Sequence, residues 1–120
     1  MPLAAQFIGV SPITAQSIQG NANTAVTAAG TTLATATDLT NSFNVVTTAT
    51  SLQGVQLSTG IIGDSQVVWN NSGNPIYVYP SASTAKINQI TAGNPMTLAD
   101  KTCAVFWVAS ATQHLCNLSA

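Results

Sequence analysis

"VVWNNSGNPIYVYP", residues 67 to 80, sets two β-rich aromatic runs on either side of a polar turn, and none of its side chains is charged. The full runs are "DSQVVWN" (64 to 70) and "PIYVYP" (75 to 80), joined by "NSGN". Asn and Gly tolerate positive φ, so a short loop of this chemistry between two strand-like runs predicts a β-hairpin. Outward from here the same punctuation repeats. "NVVTTAT" (44 to 50) is β-branched, and "GVQLS" (54 to 58) alternates Val55 and Leu57 with polar neighbours. "AKINQI" (85 to 90) and "PMTLA" (95 to 99) read as short strands around "TAGN", and "TCAVFWVAS" (102 to 110) with "QHLCNL" (113 to 118) as a final hairpin. Only "TLATATDLTNSF" could form a helix, and its threonines oppose that. Residues 31 to 120 are therefore expected to form an all-β domain. The expected form is an antiparallel β-sandwich or jelly-roll-like barrel of seven or eight short strands.

Residues 1 to 30 differ in character, being rich in Ala, Thr, Gln and Asn, with Pro2 and Pro12 and no sustained period. They carry Phe7, Ile8, Val10, Ile13 and Ile18, too many apolar groups for an idle tail. An extended N-terminal arm that becomes ordered against a neighbour is the expectation. "MPLAAQFIGV" has no Lys or Arg ahead of its apolar residues and so makes a poor secretory signal. With "AVFWVA" too short to span a bilayer, the chain reads as made and used in the cytoplasm of its producing cell.

Charge is nearly absent. Asp38, Asp64, Asp100, Lys86 and Lys101 are the charged residues of 120, and there is no Glu or Arg. Two lysines cannot build the basic patch that phosphates or anionic lipids require, which excludes nucleic acid and membrane surfaces as partners. Weak self-repulsion instead favours packing against like surfaces. No HxH, CxxC or DxDxD cluster points to a metal, and no cofactor is expected. "GDS" at Gly63–Ser65 with Asp100 and His114 could stand for a hydrolytic triad, but the helical and Gly-rich surroundings are missing. Turn-capping aspartates and a strand histidine with one hydrogen-bond partner are the expectation, and no catalytic residue is assigned. Cys103 and Cys116 lie on the two arms of the last hairpin, with a spacing that permits a cross-strand bridge. Reduced thiols are the expectation for a protein assembled in the cytoplasm.

Strand alternation divides the aromatics between faces. Val67 and Trp69 oppose Val68; Cys103, Val105 and Trp107 oppose Ala104, Phe106 and Val108; Tyr77 and Tyr79 oppose Ile76 and Val78. Apolar groups on both faces mean burial on both faces, within a sandwich or against another subunit. A single core in about 90 residues is overfilled by two Trp and two Tyr, so an assembly surface is expected. Its residues are Trp69, Tyr77, Tyr79 and Trp107 on the domain, with Phe7, Ile8, Ile13 and Ile18 on the arm. A thicker core, or a carbohydrate platform built on Trp69, Tyr77 and Tyr79, are the other readings of the same aromatics.

The succession "TATDLTNSFNVVTT", "GVQLS", "GDSQVVWNNSGNPIYVYPSASTAKIN" and "LADKTCAVFWVASATQH" resembles a recurrent module of tailed-bacteriophage virion proteins over about residues 31 to 116. That module has a "GD" turn, a strand ending in Asn, a "VYP" strand, an "IN" pair, a leucine before a turn, and a Phe-centred hairpin. The sequence departs from it at His114, where the family more commonly has Trp. The resemblance implies a non-enzymatic capsid decoration (cement) protein on the virion surface, self-associating as a trimer and contacting the major capsid protein. The arm would lie across that protein or an adjacent copy. A tail or head fibre or spike component with a receptor- or glycan-binding surface is the alternative it leaves open.

Overall fold

A computed structural model of the chain describes residues 21–119. The described residues are all-β, with ten strands among them: β1 (Ala22–Thr27), β2 (Thr37–Asp38), β3 (Phe43–Thr48), β4 (Gly54–Gln56), β5 (Ser65–Asn70), β6 (Ile76–Tyr79), β7 (Lys86–Ile87), β8 (Met96–Leu98), β9 (Thr102–Ser110) and β10 (Gln113–Leu118). They form a six-stranded sheet in the order β1-β3-β5-β9-β10-β7 and a four-stranded sheet in the order β2-β4-β6-β8. Through β6 the chain visits the two sheets alternately. The odd strands pair in parallel with one another, and so do the even strands. The result is three stacked coils, with Ala22 beside Phe43 and Phe43 beside Val67. β9 then closes antiparallel on β5, β10 on β9, and β8 on β6, while β7 joins the far edge of the larger sheet in parallel with β10.

The hairpin expected over residues 64 to 80 is not formed. β5 and β6 leave the "NSGN" turn in different sheets. Asn70 decides this from inside the turn. Its buried Nδ2 donates to Asn74 O (2.7 Å) and to Leu98 O (3.0 Å), and its Oδ1 accepts from the Ser72 hydroxyl (2.7 Å). These bonds tie the turn to β8 of the opposite sheet. A tight type I′ hairpin needs two successive residues of positive φ; here only Gly73 has one, at 90°. The turn therefore carries the chain across the core. Repeating such crossings gives a solenoid-like stack in place of the antiparallel sandwich or jelly-roll expected from spacing. Alternating patterns fix which side chains share a face but leave pairing direction open. The last hairpin does form as expected.

The core lies between the sheets. Val26, Val46, Val68, Ala104, Phe106 and Ile87 come from the larger sheet, and Val55, Ile76, Val78, Met96 and Leu98 from the smaller. Residues 21 to 30, assigned by sequence to the arm, contribute β1 and place Val26 and Ala28 in this core. Residues 1–20, with Phe7, Ile8, Ile13 and Ile18, lie outside the described residues. The stretch that could have been helical makes a turn and β2. Thr35 explains the turn: its hydroxyl donates to Thr32 O and pairs with the Thr32 hydroxyl at 2.7 Å, a local alternative to helical bonding. Gly30, at φ 64°, sits where a Cβ would fall 2.0 Å from that hydroxyl. No helix among the described residues is long and apolar enough to cross a membrane.

Candidate assembly surface

Register places the outward side chains of the six-stranded sheet in rows. Phe43, Val67, Val105 and Asn117 make one; Val45, Trp69 and Cys103 the next; Ser65, Trp107 and Leu115 a third. Val67 and Val105 thus lie between the two indoles on neighbouring strands. Phe43, Trp69, Trp107 and Leu115 are each between 38 and 47 % exposed. With the half-buried valines among them, they present on the order of 400 Å² of contiguous apolar surface, the upper range of what monomers leave uncovered. The even faces of β5 and β9 are core, so this face exists because strand alternation puts a second apolar set on the other side. No charged residue belongs to these rows.

The tyrosines are elsewhere. Ile76 and Val78 are buried core on β6, and Tyr77 and Tyr79 lie on the opposite face of the smaller sheet, the division that alternation predicts. Tyr79 is only 4 % exposed, so it is not a contact residue. Its ring lies against Gly54, where an added Cβ would come within 2.7 Å of Cε2, and its hydroxyl donates to Thr31 O at 2.7 Å. Tyr77, half-buried, meets it edge to face at 6.0 Å. Burial, with Tyr77 adding, raises the Tyr79 phenol above its ordinary value. Trp69 and the tyrosines occupy different sheets, so a three-ring carbohydrate platform is not assembled. The covering turn at residues 31–36 is what sequence could not place: nothing local says that it folds back over Tyr79.

A polar cleft of about 350 Å³ opens where the β2–β3 and β4–β5 connections meet the β9–β10 hairpin, lined by residues including Asn41, Ser58, Asp64, Ser65, Phe106 and His114. Gln66 braces it, its Nε2 donating to Leu39 O (3.0 Å) and Asn41 O (2.9 Å) and its Oε1 accepting from Ser58 N (3.1 Å). His114, buried, turns Nε2 to the Ser81 hydroxyl at 3.0 Å, with Ser81 N at 3.4 Å. Burial lowers its pKa below the ordinary histidine value. Asp64 accepts from Ile61 N at 3.0 Å, and Asp100 from Gly73 N at 2.9 Å. Each caps a turn, as expected, and the hydrogen bonds of the His114 ring are to Ser81 rather than to Asp100. Among the described residues no group of three His, Cys, Asp or Glu could hold a metal.

Cys103 and Cys116 are free. Cys103 faces outward beside Trp69, whereas Cys116 pairs with inward Phe106 and packs against the core. A cross-strand bridge would have to pass through the sheet. Burial pushes the Cys116 thiol up to about 11.

One exposed feature was missed by sequence reading. Ile61 and Ile62, 77 and 75 % exposed, form the tip of the β4–β5 loop. Its base is pinned by Asp64 N to Ile61 O and by Gly63 N to Val108 O. The signal was present in "TGIIGD", two adjacent isoleucines between glycines. No protein-family model matches the chain, and no curated protein matches it.

Proposed function

We propose that this chain is a structural assembly protein without catalytic function, and that its contact surface is the outer face of the six-stranded sheet. The carrying observation is the continuous apolar field from Phe43 through Trp69 and Trp107 to Leu115, on a protein of formal charge −1 with almost no charge to repel a like surface. At about 25 cal/mol per Å², covering roughly 400 Å² yields on the order of 10 kcal/mol before association and ordering costs. A stable interface covers about 800 Å² per partner, so a polar rim or the Ile61–Ile62 tip must take part. The particular reading rests on the sequence resemblance: a capsid decoration protein of a tailed phage, self-associating as a trimer and seated on the major capsid protein. Repetition over a shell turns modest contacts into a large total.

Sedimentation and light scattering test the surface. The full chain is expected to be a small oligomer, and Trp69→Ser with Trp107→Ser to dissociate at least about tenfold more readily while keeping the fold, as loss of two interface aromatics requires. A wild-type monomer at all concentrations defeats the surface assignment. Copy number in purified virions tests the particular reading: hundreds per particle are expected, and absence from the particle ends it.

A further inference from the structure

One rung of the larger sheet crosses the floor of the polar cleft. Val108 pairs with His114 on β10, and on its other side its amide donates to Asp64 O at 2.9 Å. Asp64 and His114 therefore flank Val108 on neighbouring strands, and all three line the cleft. Two strand spacings put their backbones roughly 10 Å apart. The floor beside them is braced. Gln66 commits both ends of its amide to Leu39 O, Asn41 O and Ser58 N, and the Ser58 hydroxyl is held between Leu39 O and the same amide. Other lining groups are uncommitted. Asp64 uses Oδ2 on Ile61 N and leaves Oδ1 open. The Thr59 hydroxyl, exposed at the rim, makes no hydrogen bond among the described residues. His114 is the decisive member. It is 4 % exposed, and its Nε2 accepts from Ser81 N at 3.4 Å, so the neutral ring carries its proton on Nδ1. That nitrogen has no partner among the described residues, yet it is not sealed: the one enclosed side-chain atom without a partner is Asn44 Oδ1. Its opening is into the cleft that the ring lines.

We propose that this cleft binds one uncharged sugar unit, with His114 Nδ1 donating to one hydroxyl, Asp64 Oδ1 accepting from another, and Thr59 bonding a third at the rim. A volume of about 350 Å³ lies at the small end of the range for ligand sites. The open groups mix donors and acceptors, and a hydroxyl serves in either role. An anion would meet the Asp64 carboxylate with no Lys in the lining to offset it. A planar base would need an aromatic face to stack on, and the one aromatic ring in the lining, Phe106, is 2 % exposed. A metal would need more ligands than this cleft holds. Half-buried Val108 offers the small apolar patch that suits the C–H face of a pyranose. The roughly 10 Å between Asp64 and His114 admits one such ring with a hydrogen bond at each end. A floor braced in advance lowers the ordering cost of binding. The cleft is on the core side of the larger sheet and the assembly field on its outer side, so the two readings stand or fall separately.

Two-dimensional NMR of the full chain, titrated separately with glucose, galactose and N-acetylglucosamine, tests it. At least one sugar is expected to give saturable shifts at Asp64, Val108 and His114, with a Kd of about 1–10 mM. Asp64→Asn keeps an oxygen for Ile61 N but removes the carboxylate, and should weaken that binding about tenfold. Should Asp64→Asn disturb the spectrum beyond the cleft, Thr59→Ala on the exposed rim takes its place, with a weakening of about threefold or more expected. Trp69→Ser with Trp107→Ser should bind the sugar as the wild type does, whatever becomes of self-association. No saturable shift with any of the three sugars up to about 100 mM overturns the proposal. So do shifts confined to the face of Trp69 and Trp107, or unchanged affinity in both cleft variants. A tighter response to glucuronate overturns it too, because Asp64 should repel that carboxylate.

Discussion

His114 is the residue whose chemistry differs most from its appearance in the sequence. It faces inward on β10 and accepts, through Nε2, from Ser81. A protonated ring could not accept there and would hold its charge away from water, so folding favours the neutral form. The folded pKa lies below the ordinary 6.5. The contribution of the neutral ring is therefore complete above about pH 6.5, where neither state is protonated, and is lost as pH falls, because the unfolded chain then binds the proton more readily. Urea unfolding of the wild type should give a stability that declines below pH 6.5 by up to about 1.4 kcal/mol per pH unit. His114→Gln should flatten that slope. An unchanged slope would mean that the proton enters the native state without cost. Asp64 is the charged residue lining the same cleft; its turn-capping bond to Ile61 N gives it a separate role.

At the scale of elements, the β5–β6 connection fixes the architecture. The local sequence asks for a hairpin, and Asn70 overrides it by bonding across to β8. Asn70→Leu keeps the branching at Cγ but removes the donor to Asn74 O and Leu98 O and the acceptor for Ser72. Leaving such groups without partners costs about 1–3 kcal/mol each when they remain buried. The variant is expected to lose about 2–4 kcal/mol, read as a fall of roughly 10–20 °C in Tm for a domain this size. Asn71→Leu is the control: Asn71 is exposed, its Oδ1 accepts only from exposed Lys101, and it should move Tm by a few degrees at most. Equal effects at the two positions would show that the crossing is held by something other than Asn70.

For the whole molecule, the two cysteines report which faces are covered. Cys116 sits on the inner side with its thiol raised to about 11; Cys103 lies in the outer apolar field next to Trp69. With a thiol-directed alkylating reagent at pH 8, Cys116 should stay slow in every state short of unfolding, since the thiolate is the nucleophile. Cys103 should react in the dissociated protein and slow by about tenfold or more on self-association, by mass action with the covered state. Labelling of Cys103 at one rate across the association range would place the contact on another surface.

Much was legible beforehand because it follows from alternation alone. The all-β class, the positions of β3 to β10, the contact-surface assignment of Trp69 and Trp107, the placement of Phe106 and Val78 on the faces opposite Trp107 and Tyr77, and the final hairpin all depend on side chains taking turns across a pleated backbone. Tertiary structure alone decided the rest. It chose parallel coils over antiparallel pairing, because pairing direction depends on where a turn sends the chain and not on its pattern. It buried Tyr79 under a turn more than forty residues earlier in sequence. It raised Ile61 and Ile62 into solvent through bonds from the loop base to a distant strand. Each of these rests on a contact between residues far apart in the chain, and a local reading carries no term for that.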